Sequence, residues 1–134
     1  MTWRANVLWP GEAAGPVLRF DAPISFWGGI CPNTSRVTLA GHPQLDEMIK
    51  DRICVVPDPI GSSSSSAILL ELLHQGHAPC AIILGKADAI LPIGVVVAAE
   101  MGWSQIPVFV MPHPPFHTGQ NLSMSRTGEI TETV

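Results

Sequence analysis

Short apolar runs and longer apolar segments alternate through the middle of the chain. The short runs are rich in β-branched residues and predict buried strands, whereas the longer segments carry Leu, Val and Ala at helical spacing and predict helices. In chain order the five segments are Ile53–Pro57, Ala67–Gly76, Cys80–Leu84, Ile93–Met101 and Ile106–Val110. The order strand–helix–strand–helix–strand implies right-handed crossovers, and it therefore predicts an α/β domain with a parallel sheet core.

The two ends of the chain differ from this centre. Apolar runs broken by Gly and Pro predict short N-terminal strands, and a turn near Thr127-Gly128 predicts a C-terminal hairpin over residues 121–134. The predicted N-terminal strands are Asn6–Trp9, Pro16–Phe20 and Ile24–Trp27. With 134 residues, we expect a single domain, 1–134, that buries its core without disulfides.

Composition narrows the functional classes. Apolar residues make up 46% of the chain and charged residues 13%, which excludes a largely disordered chain and indicates that a partner covers part of the apolar surface. A net charge of −4 argues against nucleic-acid binding, and no apolar stretch reaches the roughly 18 residues of a membrane span. Cys31, Cys54 and Cys80 are odd in number and far apart, so they predict reduced thiols of a cytoplasmic protein rather than disulfides or a metal site.

Five consecutive serines, Ser62–Ser66, follow Gly61 between the first buried strand and the first helix. A low-complexity linker is one interpretation. Serine also caps helices, and a Gly-Ser turn at a helix N-terminus suits a phosphate or carboxylate and lowers the cost of a serine alkoxide. The run matches neither a Walker A loop nor a nucleophile elbow. Upstream, Trp27-Gly28-Gly29 indicates either close backbone approach to another chain or ligand, or an aromatic core residue beside a turn.

Four segments occur in order along the chain: Ile24–Ile30, Gly61–Ser64 opening a Leu-rich helix, Ala81–Leu84 and Leu91–Gly94. Together they resemble the swivel domain of the aconitase X family over about residues 16–110. The resemblance implies a three-layer swivelling β/β/α fold and a hydro-lyase that removes water from a small hydroxy acid. A free-standing chain of this length resembles the small subunit of the two-subunit members, which implies a large catalytic subunit as partner.

The resemblance also implies roles for individual residues. Ser62, the first serine after the glycine, matches the family's proposed proton acceptor, and Gly61, Ser63 and Ser64 are expected to bind substrate or steady the alkoxide. Ser65 and Ser66, one turn into the helix, are expected to contribute less. No Lewis-acid site is expected on this chain, so an iron or iron–sulfur centre is expected on the large subunit.

Two activities of the family give two candidate substrates, cis-3-hydroxy-L-proline and 5-phosphomevalonate. Many relatives carry Arg immediately before the glycine, where this chain has Ile60, so the source of a substrate-binding cation is open. Because no Lys or Arg adjoins the serine run, where a phosphate would need one, we expect cis-3-hydroxy-L-proline. The alternatives from other classes are a non-catalytic module that binds an anion through Ser62–Ser66 and a purely structural subunit.

Overall fold

The structure is a computed structural model, and it describes residues 1–133 of the chain. The strands are β1 (Thr2–Arg4), β2 (Asn6–Trp9), β3 (Ala13–Arg19), β4 (Ile53–Val56), β5 (Ala81–Leu84), β6 (Val108–Val110), β7 (Asn121–Met124) and β8 (Glu129–Glu132). The helices are α1 (Phe26–Gly29), α2 (Ser63–Gln75) and α3 (Ile93–Glu100).

Strands β3, β4, β5 and β6 form the parallel centre of the sheet, and β2 adds an antiparallel edge strand beside β6. Strands β4 and β5 are buried along their whole length, which explains their unbroken apolar sequences. Helix α2 connects β4 to β5, and α3 connects β5 to β6, as the sequence predicts. Because each helix follows the end of a parallel strand, the N-termini of α2 and α3 lie at the carboxyl edge of the sheet.

A second, antiparallel layer consists of β1, β8 and β7, and it joins the parallel layer through β3. The first half of β3, Ala13–Pro16, pairs with β7, and the second half, Val17–Arg19, pairs with β4. Alternate residues of β4 therefore face different cores. Cys54 packs in the core that contains the helices, whereas Val55 packs in the core that contains the second sheet. Helices, parallel sheet and antiparallel sheet make the predicted three-layer β/β/α fold.

Not every predicted element forms. The predicted strand Ile24–Trp27 is wrong, because Ile24 makes only an isolated bridge with Pro59 and the chain then enters the single turn of α1. Gly28 adopts a φ of +78°, a conformation that glycine reaches without a steric cost and that ends the extended path. The C-terminal hairpin predicted over residues 121–134 is confirmed as β7 and β8, with residue 134 outside the described residues. The unpredicted strand β1 pairs with β8 along its outer side.

Candidate active site

The serine run forms the start of α2 rather than a linker. Ser63–Ser66 are helical, and Ser62 is the N-cap residue with an extended backbone (φ −116°, ψ −168°). The Ser62 Oγ accepts a hydrogen bond from the backbone N–H of Ser64 at 3.4 Å, and the Ser62 carbonyl oxygen accepts one from the N–H of Ser65 at 2.9 Å. As the N-cap residue, Ser62 places its hydroxyl at the positive end of the helix. Because its side-chain hydrogen bond is long and Ser62 is exposed, this hydroxyl is open to a ligand.

Gly61 turns the chain into this N-cap. Its φ of +128° lies where side chains are disfavoured, and a Cβ on it would stand 2.5 Å from Ser25 Oγ and closer still to Ser65 Oγ. Those two hydroxyls hydrogen-bond to each other at 2.9 Å, 40 residues apart in the chain. Ser65, expected to be a minor residue, is only 4% exposed and packs directly beneath the turn. Sequence analysis missed Ser25, although it lies in a segment that carries the family resemblance.

A cation lies at this edge although none adjoins the serine run in the sequence. Lys86 follows β5 and Asp58 follows β4, and Lys86 Nζ donates a hydrogen bond to Asp58 Oδ1 at 2.7 Å. Asp58 is four residues before Ser62 along the chain. Lys86 thus contacts the segment that leads into the serine run, although no Lys or Arg adjoins that run in the sequence.

Arg19, at the end of β3, is engaged elsewhere. Its Nη1 donates hydrogen bonds to the carbonyl oxygens of Pro114 at 2.6 Å and Phe116 at 3.1 Å, and its Nε lies 3.4 Å from Asp21 Oδ1. Arg19 and Asp58 help to line a shallow hollow of about 180 Å³. Lys86 is thus the more available of these two cations, since Asp58 is the one partner of its ammonium group within residues 1–133.

Four large apolar side chains are exposed at the same edge, and we call them the apolar rim: Trp27, Ile60, Ile90 and Ile93. Trp27 is 63% exposed and Ile60 is 53% exposed. The Ile60 N–H donates to the Ile24 carbonyl oxygen at 3.2 Å, which ties the segment before Gly61 to the segment that leads into α1. The exposure of Trp27 contradicts the interpretation of a core aromatic and leaves approach by another chain or a ligand.

Cys31 and Cys54 lie in different environments. Burial raises the pKa of the Cys54 thiol, whereas hydrogen bonding by the Thr34 side chain and backbone lowers the pKa of the half-buried Cys31 thiol. Within residues 1–133, no three His, Cys, Asp or Glu side chains are grouped so that they could hold a metal ion. The residues of this part of the chain therefore do not fit an iron or iron–sulfur centre. None of its helices has the length and apolar character needed to cross a membrane.

A larger surface hollow, of about 540 Å³, lies at the opposite edge of the parallel sheet. Trp9 and Trp103 line it, and the Trp9 Nε1 donates to Gln105 Oε1 at 3.0 Å. The hollow is bounded by Ile106 and Pro107, which precede β6, so it is remote from the serine turn at the carboxyl edge.

The three layers, together with a serine-capped helix at the carboxyl edge of the parallel sheet, define a β/β/α domain of the swivelling class. Residues 2–132 match the family described as the aconitase X swivel domain, and the chain belongs to that family.

Similar proteins include a protein named as a dehydratase and one named as the small subunit of a dehydratase. The chain is 44% identical over 101 residues to the cis-3-hydroxy-L-proline dehydratase of Hypocrea jecorina, which covers 75% of this chain and 17% of that protein. It is 34% identical over 93 residues to the phosphomevalonate dehydratase small subunit of Methanothermobacter thermautotrophicus, which covers 69% of this chain and 71% of that subunit. The crystal structure of holo-form aconitase X from Thermococcus kodakaraensis superimposes with a TM-score of 0.89 at 27% identity, over 100% of this chain and 99% of that chain. The chain thus spans about a sixth of the Hypocrea enzyme but most of the Methanothermobacter subunit.

Proposed function

We propose that this chain is the small subunit of an aconitase-X-type hydro-lyase that dehydrates a small hydroxy acid, with Ser62 as the base. The observation that carries the proposal is the exposed Ser62 hydroxyl at the N-terminus of α2, a helix of 13 residues. Relatives named as dehydratases, at 44% and 34% identity, support the reaction class.

The base must act as an alkoxide. Dehydration removes a proton from one carbon and hydroxide from its neighbour, so the products are an unsaturated acid and one molecule of water. A serine oxygen accepts such a proton only after it has lost its own, and its charge then needs dipoles or cations nearby. The N–H groups in the first turn of α2 supply partial positive charge, and that of Ser64 donates to Ser62 Oγ. On taking the carbon-bound proton, the alkoxide returns to a neutral hydroxyl. The proton that the serine first gave up to solvent balances the departing hydroxide, which is released as water.

The carboxylate of a hydroxy acid needs donors beside the base. Gly61, Ser63 and Ser64 offer exposed backbone N–H groups or hydroxyls, and the Lys86 ammonium keeps donors beyond the one directed to Asp58. In a 3-hydroxy acid the proton to be removed lies next to the carboxylate. Groups that hold the carboxylate therefore also stabilise the negative charge that develops as the proton leaves.

A partner completes the site in this proposal. In this proposal a Lewis acid assists departure of the hydroxyl group, and the described residues do not fit a centre that would provide one. We therefore assign an iron or iron–sulfur centre to a large catalytic subunit. The apolar rim beside Ser62 offers that subunit a surface to cover, and the Hypocrea enzyme, of which this chain covers only 17%, contains far more polypeptide than this domain.

The first candidate substrate is cis-3-hydroxy-L-proline, which the relative at 44% identity is named for. The second candidate is 5-phosphomevalonate. The small-subunit relatives, of which this chain covers about two thirds or more, favour it, and so does Lys86, because a phosphate is bound by cations.

The test is turnover by the chain co-produced with an aconitase X large subunit from the same organism. We expect water loss from cis-3-hydroxy-L-proline to be faster than from 5-phosphomevalonate, and the Ser62→Ala complex serves as the matched control. Faster turnover of 5-phosphomevalonate would reverse the choice of substrate. A complex that binds anions but turns over neither acid would favour the non-catalytic module, and turnover by this chain alone would contradict the need for a partner.

A further inference from the structure

We propose that Ser25 and Ser65 are positioning residues, whose paired hydroxyls hold the Gly61 turn so that Ser62 presents its oxygen to the substrate. This inference rests on the proposed function of Ser62. It assigns a role to Ser25, which lies outside the serine run. It also assigns one to Ser65, which the helical pattern alone does not distinguish from the other residues of α2.

The contact between the hydroxyl pair and the turn is close. Ser25 Oγ and Ser65 Oγ lie 2.9 Å apart, and the α-carbon of Gly61 lies against both. A Cβ at Gly61 would reach to 2.5 Å from Ser25 Oγ, so no side chain fits between the turn and the pair. Because Gly61 has no side chain, it can both adopt its φ of +128° and lie against the hydroxyl pair.

Ser65 contacts the turn through both its side chain and its backbone. Its side chain meets Gly61, the residue before Ser62, and its backbone N–H donates to the Ser62 carbonyl oxygen at 2.9 Å. Ser25 is anchored in turn, because its neighbour Ile24 accepts the N–H of Ile60 at 3.2 Å and pairs with Pro59. The segment that ends in Ser62 is thus held along its length by a segment about 35 residues earlier in the chain.

Ser25→Ala leaves the buried Ser65 hydroxyl without the partner shown here, and Ser65→Ala removes the partner of the half-buried Ser25 hydroxyl. Either change should therefore loosen the turn, and the penalty of an unsatisfied buried hydroxyl applies to Ser25→Ala. A shift of about 1 Å in a reacting group is enough to lower a rate by about 100-fold. We therefore expect Ser25→Ala and Ser65→Ala to lower kcat of the reconstituted complex by between about 10- and 100-fold, with KM nearly unchanged.

The decisive measurement is a double-mutant comparison. If Ser25 acts through Ser62, then Ser25→Ala should lower kcat no further when Ser62 is already Ala. The matched control is Ser35→Ala, which removes a buried hydroxyl that donates to the His77 carbonyl oxygen at 2.8 Å. His77 follows the C-terminal end of α2, whereas the Gly61 turn precedes the N-terminal end of that helix. That variant should lower the melting temperature while leaving kcat as in the wild type.

A second readout does not depend on turnover. In the full chain alone, the amide of Ile60 should exchange its hydrogen faster in Ser25→Ala than in the wild type, because the segment that accepts it is released. Unchanged exchange, or a wild-type kcat in both Ser25→Ala and Ser65→Ala, would overturn the positioning role. If Ser25→Ala lowers kcat by the same factor in the wild type and in Ser62→Ala, the positioning role is also overturned. If the wild-type complex has no dehydratase activity, the proposed function fails, whereas an active wild type with unaffected variants overturns this inference alone.

Discussion

Replacing Ser62 by Ala separates its role in capping α2 from its proposed role as the base. The cap is weak, since it consists of one exposed hydrogen bond of 3.4 Å from the Ser64 N–H. Its loss should cost about 1 kcal/mol or less, against a stability of roughly 5–15 kcal/mol for an ordinary domain. Leu69 and Leu72, on the buried face of α2, keep their packing in the variant. The melting temperature should therefore fall by only about 4 °C or less. Loss of a general base should instead lower kcat by about 10²–10⁴-fold.

Two further variants make the assay decisive. Ser62→Asn keeps a side-chain oxygen that caps a helix but lacks the hydroxyl, so its melting temperature should stay near that of the wild type while kcat falls as in Ser62→Ala. Ser66→Ala removes a neighbouring hydroxyl, which donates to the Ser63 carbonyl oxygen at 2.6 Å, and should leave kcat within about twofold of the wild type. All variants are measured in the complex with the large subunit, by initial rates and by thermal melting.

The reasoning is refuted by a Ser62→Ala complex that keeps a kcat near that of the wild type, because a base cannot be removed without such a loss. A large fall in melting temperature with an unchanged kcat would identify Ser62 as a helix cap only. A loss of kcat in Ser62→Ala that Ser62→Asn restores would mean that the capping oxygen, rather than a proton acceptor, is what the reaction needs.

Two other expectations concern charge and thiol chemistry. Lys86→Met should raise KM by roughly 10- to 100-fold, the effect of losing a charge-assisted hydrogen bond to the substrate carboxylate. Lys50→Met, at the chain's other lysine, is the control. An unchanged KM in Lys86→Met would show that Lys86 does not bind the substrate. Iodoacetamide should alkylate Cys31 faster than Cys54, because a lowered pKa leaves more thiolate at a given pH whereas burial and a raised pKa keep Cys54 protonated. Mass spectrometry of the folded chain over pH 6–9 measures both rates, and equal rates at Cys31 and Cys54 would contradict the assignment.

The centre of the fold could be predicted because its signals are local. Each buried strand is a continuous apolar run, each helix has an apolar period of its own, and their alternation dictates a parallel sheet. The N-cap role of a serine followed from capping chemistry, although the predicted helical segment Ala67–Gly76 began four residues after the start of α2 at Ser63. The prediction failed at Ile24–Trp27, where the apolar run is extended in pattern but Gly28 turns the chain with a positive φ.

The partners of the serine turn could not be predicted in the same way, because their contacts are not local. Ser25 meets Ser65 across 40 residues, and no pattern near either serine encodes that pairing. Lys86 is different, since a signal for it exists. The register pairs the last residues of β4 and β5, and Asp58 and Lys86 each lie two positions beyond those ends. Equal offsets after neighbouring parallel strands therefore predict the ion pair once the sheet order is known.

The apolar rim makes a prediction about assembly, and Ile60 is the residue that tests it most directly. Its side chain is 53% exposed and lies immediately before Gly61, so a partner that completes the site must cover it. A carboxylate there would lose its water without gaining a partner, which is costly in an apolar interface. Ile60→Asp should therefore weaken binding of the large subunit by at least about 30-fold, the effect of a hot-spot residue worth ~2 kcal/mol or more.

The fold itself should tolerate the change, since the N–H of Ile60 still donates to the Ile24 carbonyl oxygen and the side chain lies outside the core. Met101→Asp is the matched control, because Met101 is 56% exposed but follows the C-terminal end of α3, at the opposite edge from the serine turn. Calorimetric titration of the large subunit measures both affinities, and thermal melting of each variant checks that it is folded. If Ile60→Asp binds like the wild type while Met101→Asp does not, the partner covers the far end of α3, and the rim around Ser62 is not the interface.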